Sequence, residues 1–177
     1  MVTVRYKNNP EDYADFMRFT AYRVNHKLAK AWVFFAAALA LGVVAVFTAN
    51  AVFIVSAAVF AAFGILLLSL GVTAVKKSVA RTLKEYREMH TVENFYRFGE
   101  SEFTVETKVK GKIKESSVPY GALRYAAETK EFFYLYVRSS LAFLVKKSGI
   151  EEGSAKELKE LLFSALGKKK CKFKREK

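Results

Sequence analysis

A chain of 177 residues suffices for about one ordinary domain, yet all 30 of its Lys and Arg and all 17 of its Asp and Glu, a formal net charge of +13, lie outside the 45 residues from Ala31 to Val75. So long a stretch without a charge excludes a single water-soluble core. The composition describes an apolar segment joined to a highly charged remainder.

Residues 1–30 open with Val2-Thr3-Val4-Arg5-Tyr6, a short alternation of apolar and polar side chains. Asn9-Pro10-Glu11-Asp12 has the form of a helix start, with Pro at the first helical position and acids at the positive end of the helix dipole. Tyr13, Phe16, Met17 and Tyr22 give that helix an aromatic stripe, and it runs toward the apolar segment.

As one helix, residues 31–75 would extend roughly 67 Å, against ~30 Å for a bilayer's hydrocarbon core. The spacing therefore predicts two transmembrane spans, about 31–49 and 51–75, turning at Thr48-Ala49-Asn50, with Asn50 capping the second. Arg18, Arg23, Lys27 and Lys30 precede the first span, and Lys76, Lys77, Arg81, Lys84 and Arg87 follow the second, whereas the turn is uncharged. Basic flanks on both sides, Lys27, Lys30, Lys76 and Lys77 nearest the spans, predict a two-span cell-membrane protein with both termini cytoplasmic. Trp32 suits the interfacial aromatic belt. Ala49-Asn50-Ala51 also has the small-x-small form of a signal-peptide cleavage site. The long preceding segment with Glu11, Asp12 and Asp15, and the apolar run that continues beyond it, argue against cleavage.

Ala38, Gly42, Ala45 and Ala49 on the first span, and Ala57, Ala61 and Gly64 on the second, recur at helical spacing and permit close helix contact. They either join the hairpin's own helices, the preferred reading because that partner is always present, or drive oligomerisation. No ionisable group lies in the spans, and Ser56, Ser69 and Thr73 can be satisfied by their own backbone, so the hairpin reads as an anchor rather than an ion or proton pathway.

Residues 76–90 continue a helix, with Val79, Leu83 and Tyr86 at three- and four-residue spacing. Residues 91–167 form a separate domain. Its aromatic and β-branched runs predict strands over 92–98, 102–108, 112–118, 123–127, 132–138 and 141–146, parted by turns at 99–101, 110–112, 119–121, 128–130 and 139–140. Phe132 to Val137 is apolar on both faces, which marks a central strand. Ser154 with Glu157 three residues on is a capping box, followed by Leu158, Leu161, Leu162, Ala165 and Leu166 on one helix face and stopped by Gly167. The strands and the helix suggest a small barrel or sandwich, and the predicted fold class is α+β: a transmembrane helical hairpin plus a small antiparallel β-barrel capped by a C-terminal helix, then a basic tail over 168–177.

"ENFYRFGESEFTVET" (93–107), "VPYGALRYAAETKEFFYLYV" (118–137), the passage ending "LVKKSGIEEGSAKELKELL" and the N-terminal "YKNNPEDYADFMRF" resemble the YcxB-like family of bacterial membrane proteins. The resemblance implies a cytoplasmic domain similar to the pleckstrin-homology (PH) fold, seven strands and a C-terminal helix, with structural rather than catalytic motifs. Six strands follow the spans, so Val2 to Tyr6 is inferred to supply the seventh. Where a Pro-Lys pair is expected of the family, this chain has Val145-Lys146-Lys147.

The sequence offers no catalytic, metal or cofactor residues, and the chain is read as a non-enzyme. His26, His90 and Cys171 have no metal-site spacing, and no glycine pattern forms a phosphate loop. Glu93, Glu128 and Glu131, at strand edges or turns beside basic residues, read as solvated surface. The basic charge is the remaining signal. Lys108, Lys110, Lys112 and Lys114 surround one hairpin tip and are the candidate contact for anionic lipid or a partner; the bland alternative, preferred here, is a solvated turn whose lysines discourage edge pairing. The tail is either a membrane-surface segment or disordered, and acylation of Cys171 is not favoured by its distance from the spans. Nucleic acid is disfavoured because residues 93–150 carry ten basic against seven acidic side chains. Two functions remain: a membrane-anchored interaction module that binds lipid headgroups or a protein, or an oligomeric hairpin acting as a channel or transport component.

Overall fold

The computed structural model describes every residue except 8, 25, 27, 86–91, 110 and 174–177. The chain divides into two units, Arg18–Lys84 and the discontinuous Met1–Met17 with Glu85–Lys177.

In the unit Arg18–Lys84, a π-helical turn (Thr20–Val24) precedes helix α2 (Ala29–Thr48), and helix α3 (Ala51–Glu85) follows it. Only Ala49 and Asn50 separate α2 from α3. Ala49 adopts the left-handed conformation (φ 49°, ψ 28°) and donates its N–H to the Ala45 carbonyl, which closes α2. Asn50 Oδ1 accepts the Val52 N–H at 2.9 Å, so the predicted cap opens α3. The hydroxyls of Thr48, Ser56, Ser69 and Thr73 donate to the carbonyls of Val44, Val52, Leu66 and Ser69, each within its own helix.

The two helices touch through phenylalanine side chains, and of the predicted small-residue rows Gly64 takes part while Gly42 has nothing within 4 Å of an added Cβ. Phe34 lies 5.8 and 5.9 Å from the rings of Phe60 and Phe63, and the Phe35 ring covers Gly64, where an added Cβ would stand 3.0 Å from it. Away from this seam the apolar side chains have no cover. Only 11% and 6% of the most apolar windows of α2 and α3 are buried, with Leu39, Val46, Phe47, Val52, Val55 and Ile65 open. Both helices are long and apolar enough to cross a membrane.

The other unit is α+β. Its strands are β1 (Val2–Lys7), β2 (Glu93–Phe98), β3 (Glu102–Val109), β4 (Lys112–Pro119), β5 (Tyr125–Glu128), β6 (Phe132–Arg138), β7 (Leu141–Lys146), β8 (Ile150–Glu152) and β9 (Cys171–Lys172). They form two sheets, ordered β4-β3-β2-β1-β8 and β7-β6-β5-β9, antiparallel except for β5 with β9. β1 pairs with β2 from Val2↔Phe98 to Lys7↔Glu93 and also borders β8, so the N-terminal strand joins this sheet as inferred from the sequence. The predicted third to sixth strands differ at their ends by at most a residue or two, and β8 and β9 were not predicted.

The predicted small barrel is corrected: the strands form two sheets, and the chain leaves each by a 3₁₀ turn instead of continuing its ladder. The first turn, Tyr120–Ala122, follows Pro119, which has no N–H to extend β4. The second, Lys147–Gly149, carries the chain from β7 to β8. There the chain passes so close to β1 that a Cβ on Gly149 would collide with the Arg5 carbonyl.

Both faces of β6 are buried, as its composition predicted, with Phe132, Phe133, Tyr134, Leu135 and Tyr136 all at most 3% exposed. Helix α1 (Pro10–Phe19), capped by Asn9 Oδ1 on the Glu11 N–H, covers one of those faces: Phe16 lies 5.2 Å from Tyr134 and 5.9 Å from Tyr136. On the other face, Leu135 lies opposite Phe143, whose ring meets Phe103 of the first sheet edge-on at 5.3 Å. Helix α4 (Ala155–Leu166) begins where predicted. Ser154 Oγ accepts the Glu157 N–H and donates to the Glu157 carboxylate, while Leu158 and Leu162 are fully buried.

Gly149→Ala forces β1 or the β7–β8 turn to shift. Overpacking of this kind costs about 1–3 kcal/mol, so the variant is expected to melt earlier and to exchange the amide protons of β1 and β8 faster than wild type, as read by hydrogen-exchange mass spectrometry.

Candidate functional site

The hairpin of β3 and β4 carries the lysines singled out by sequence, and the three that are described divide between its two faces. Residues directly opposite in an antiparallel pair share a face. Lys108 is opposite Ile113, whereas Lys112 is opposite Val109 and Lys114 opposite Thr107. Lys112 and Lys114 therefore stand on the face that carries Phe103 and Val105, and Lys108 on the reverse. Lys110 lies outside the described residues. The reverse face is a lattice of opposed charges: Arg97 meets Glu106 at 3.1 Å, Arg5 meets Glu151 at 2.7 Å and Glu93 at 3.6 Å, and both arginines flank the Phe95 ring.

On the inner face, Val105, Thr107, Val109, Lys112, Lys114, Ser116 and Phe143 line an open cavity of about 570 Å³, which Ile113 borders although its register faces its side chain the other way. That volume lies within the usual range for small-ligand sites, ~300–1,000 Å³. The cavity exists because β4 extends beyond its cover: Lys112 to Ser117 are all exposed, whereas Phe103 opposite Val118 is fully buried.

Two further clusters were missed by sequence reading. Glu128, read there as a solvated turn residue, is instead mostly buried: its side chain is 10% exposed and held between Lys147 (2.6 Å) and Lys159 (3.2 Å). Burial would raise its carboxyl, but hydrogen bonds and charge from the two lysines overcome this and hold it below its ordinary value. Asp12, buried on α1, accepts from Lys146 at 2.8 Å and from the Tyr6 hydroxyl at 3.3 Å. Within Val145-Lys146-Lys147, where a Pro-Lys pair is expected, Lys146 at the end of β7 thus reaches Asp12 and Lys147 in the turn that follows reaches Glu128.

The C-terminal segment is also corrected as far as it is described. Lys168–Lys170 form a 3₁₀ turn, β9 adds to β5, and Phe173 sits against Phe163 at 4.7 Å and Phe133 at 5.8 Å, while residues 174–177 lie outside the described residues. Cys171 donates to the Leu162 carbonyl, and burial pushes its thiol up to about 11, which leaves little thiolate for acylation. Of the membrane-flanking lysines, Lys30, Lys76 and Lys77 are exposed; Lys27, and also Arg87 and His90, lie outside the described residues. Among the described residues no group of three or more His, Cys, Asp or Glu could hold a metal ion.

A chain with two long apolar helices and a two-sheet α+β unit split around them belongs to the general class of helical-hairpin proteins with a folded β unit. Residues 98–162, from the end of β2 into α4, match the family model described as YcxB-like protein. That span holds a YcxB-like domain; the N-terminal stretch that also carried the resemblance, and both apolar helices, lie outside the match. No curated protein and no solved structure matches the chain.

A carboxyl whose folded value is depressed stabilises the fold above its unfolded value and loses that stabilisation as pH falls through the folded one. Glu128→Gln is expected to cost about 1–3 kcal/mol at neutral pH, because it leaves two partly buried lysines without their anion. The gap to wild type should close as pH falls below about 4.3, the unfolded carboxyl's value, in thermal melts followed by near-ultraviolet circular dichroism.

Proposed function

We propose that this protein is a non-enzymatic, membrane-anchored interaction module of the cell membrane. In this reading α2 and α3 cross the bilayer as a hairpin, both termini stay in the cytoplasm, and the split β unit is a PH-like domain that receives anionic lipid headgroups or a protein partner at the inner leaflet.

The pairing of β1 with β2 carries this reading. β1 precedes the two apolar helices and β2 follows them, yet the strands are hydrogen-bonded along six residue pairs. A chain that enters a membrane between them must come back out on the side it left. Two helices do this and one does not. The basic flanks agree, since Lys30 stands before the first apolar run and Lys76 and Lys77 after the second. The uncovered apolar surface of α2 and α3 needs a nonaqueous environment, because soluble chains rarely expose so large a contiguous patch. The apolar part of α2 after Lys30 measures roughly 27 Å and that of α3 up to Lys76 roughly 37 Å at ~1.5 Å per residue. α3 would therefore cross at a tilt.

A conducting oligomer finds less support, because Phe35 already fills the Gly64 face within the hairpin.

Reporters fused before Met1 and after Lys177 are expected to be cytoplasmic, and one inserted between Ala49 and Asn50 external, with the chain resisting alkaline carbonate extraction. Terminal reporters on opposite sides, or a chain released by carbonate, would defeat the reading.

A further inference from the structure

The inner face of the first sheet changes character along its length. At one end Phe98 and Phe103 stack at 5.4 Å, and Phe103 also meets Tyr120 and Phe143, so the face is closed by aromatic rings. Toward the hairpin tip the same face continues as Val105, Thr107 and Val109 beside Ser116, Lys114 and Lys112, and the cover ends. Such a surface makes a cavity with a dry floor at Phe143 and Val105 and a wet mouth at the two lysines.

Its charges are uncompensated by the walls. None of the lining residues is acidic. The nearest hairpin carboxylates, Glu106 and Glu115, are opposite each other on the reverse face, where Glu106 is engaged by Arg97. The Thr107 hydroxyl is turned aside, since it donates to Asn94 Oδ1 at 3.0 Å. What remains is two ammonium groups above valine and phenylalanine side chains. A small polar anion would satisfy the lysines and leave the apolar wall wet, whereas a neutral hydrocarbon would fill the wall and leave the lysines idle. Only a ligand with both parts uses the whole surface.

We propose that this cavity binds a long-chain fatty carboxylate, its alkyl chain lying along β3 between Val105, Val109 and Phe143 and its carboxylate on Lys112 and Lys114. The assignment rests on the β unit being the partner-binding part of the chain, but not on the hairpin's crossing a bilayer. Lys108, on the reverse face, takes no part, so two lysines in one hairpin act differently although they carry equal charge.

The test uses the full chain in nanodiscs of zwitterionic phosphatidylcholine, labelled with a photoactivatable palmitate and mapped by mass spectrometry. Label is expected on peptides containing residues 105–116 or Phe143, with excess palmitate removing it and excess hexadecanol or inorganic phosphate leaving it. The double variant Lys112→Gln with Lys114→Gln should reduce labelling there about tenfold, the loss expected when charge-assisted hydrogen bonds are removed, and Lys108→Gln should not change it. Ser116→Phe, at an exposed strand position pointing into the cavity, should block labelling while the circular dichroism spectrum stays that of wild type. Label confined to α2 and α3, equal losses from Lys108→Gln and the double variant, or competition by hexadecanol as strong as by palmitate would each overturn the assignment. Those outcomes leave the reporter and carbonate results untouched, so failure here is distinct from failure of the anchor.

Discussion

The six residue pairs between β1 and β2 are the constraint on which the rest of the structure depends. β1 is an interior strand of its sheet, flanked by β2 and β8, and it contributes the buried side chains of Val2, Val4 and Tyr6. The β unit therefore cannot complete its first sheet until the whole apolar hairpin has been made. Closing so long a loop costs entropy that grows only slowly with length. A tight two-residue turn, with Asn50 accepting the Val52 amide in the first turn of α3, makes the inserted segment a self-contained element rather than a slack chain.

Carboxylate and lysine side chains then fasten the outer elements to the second sheet. The end of β7 and the turn after it supply two of these lysines. Lys146 reaches Asp12 on α1 and Lys147 reaches Glu128 on β5, where Lys159 of α4 joins it. Such pairs add little net stability compared with apolar packing, but removing one partner strands the other. Their physical effect is specificity of position: α1 is held with Phe16 over Tyr134 and Tyr136, and α4 is held beside β5. The apolar contacts supply the stabilisation and the ion pairs select the arrangement.

Local pattern made much of this legible. The charge-free run and its length specified two helices, Asn50 and Ser154 marked helix starts, and the apolar density of β6 marked a strand covered on both sides. Each of these signals lies within a few residues of the element it describes. The separation of the sheets was not legible, because it depends on what Pro119 and Gly149 meet elsewhere in the chain. β9 was hidden for a different reason. Cys171 and Phe173 have the alternation of a strand, but the lysines around them dominate the composition and the segment reads as a tail. Glu128 was misread because a carboxylate beside lysines in sequence looks solvated, whereas Lys147 and Lys159 reach it from a following turn and from α4.

The division of the hairpin lysines shows why net charge is a poor guide to this surface. A two-residue connection between Val109 and Lys112 makes those two residues partners, so the parity of each lysine across the turn decides its face. Summed as charge, Lys108, Lys112 and Lys114 are equivalent. Sorted by register, Lys108 joins a face where arginines and glutamates already compensate one another, and Lys112 and Lys114 join one where valine and phenylalanine offer no counter-charge. The same sorting applies to Lys146, Lys147 and Lys159, which are positive in composition but are spent on internal carboxylates. A basic sequence thus resolves into lysines that hold the fold and lysines left without an anion beside apolar surface, and it is the second kind that can define a binding face.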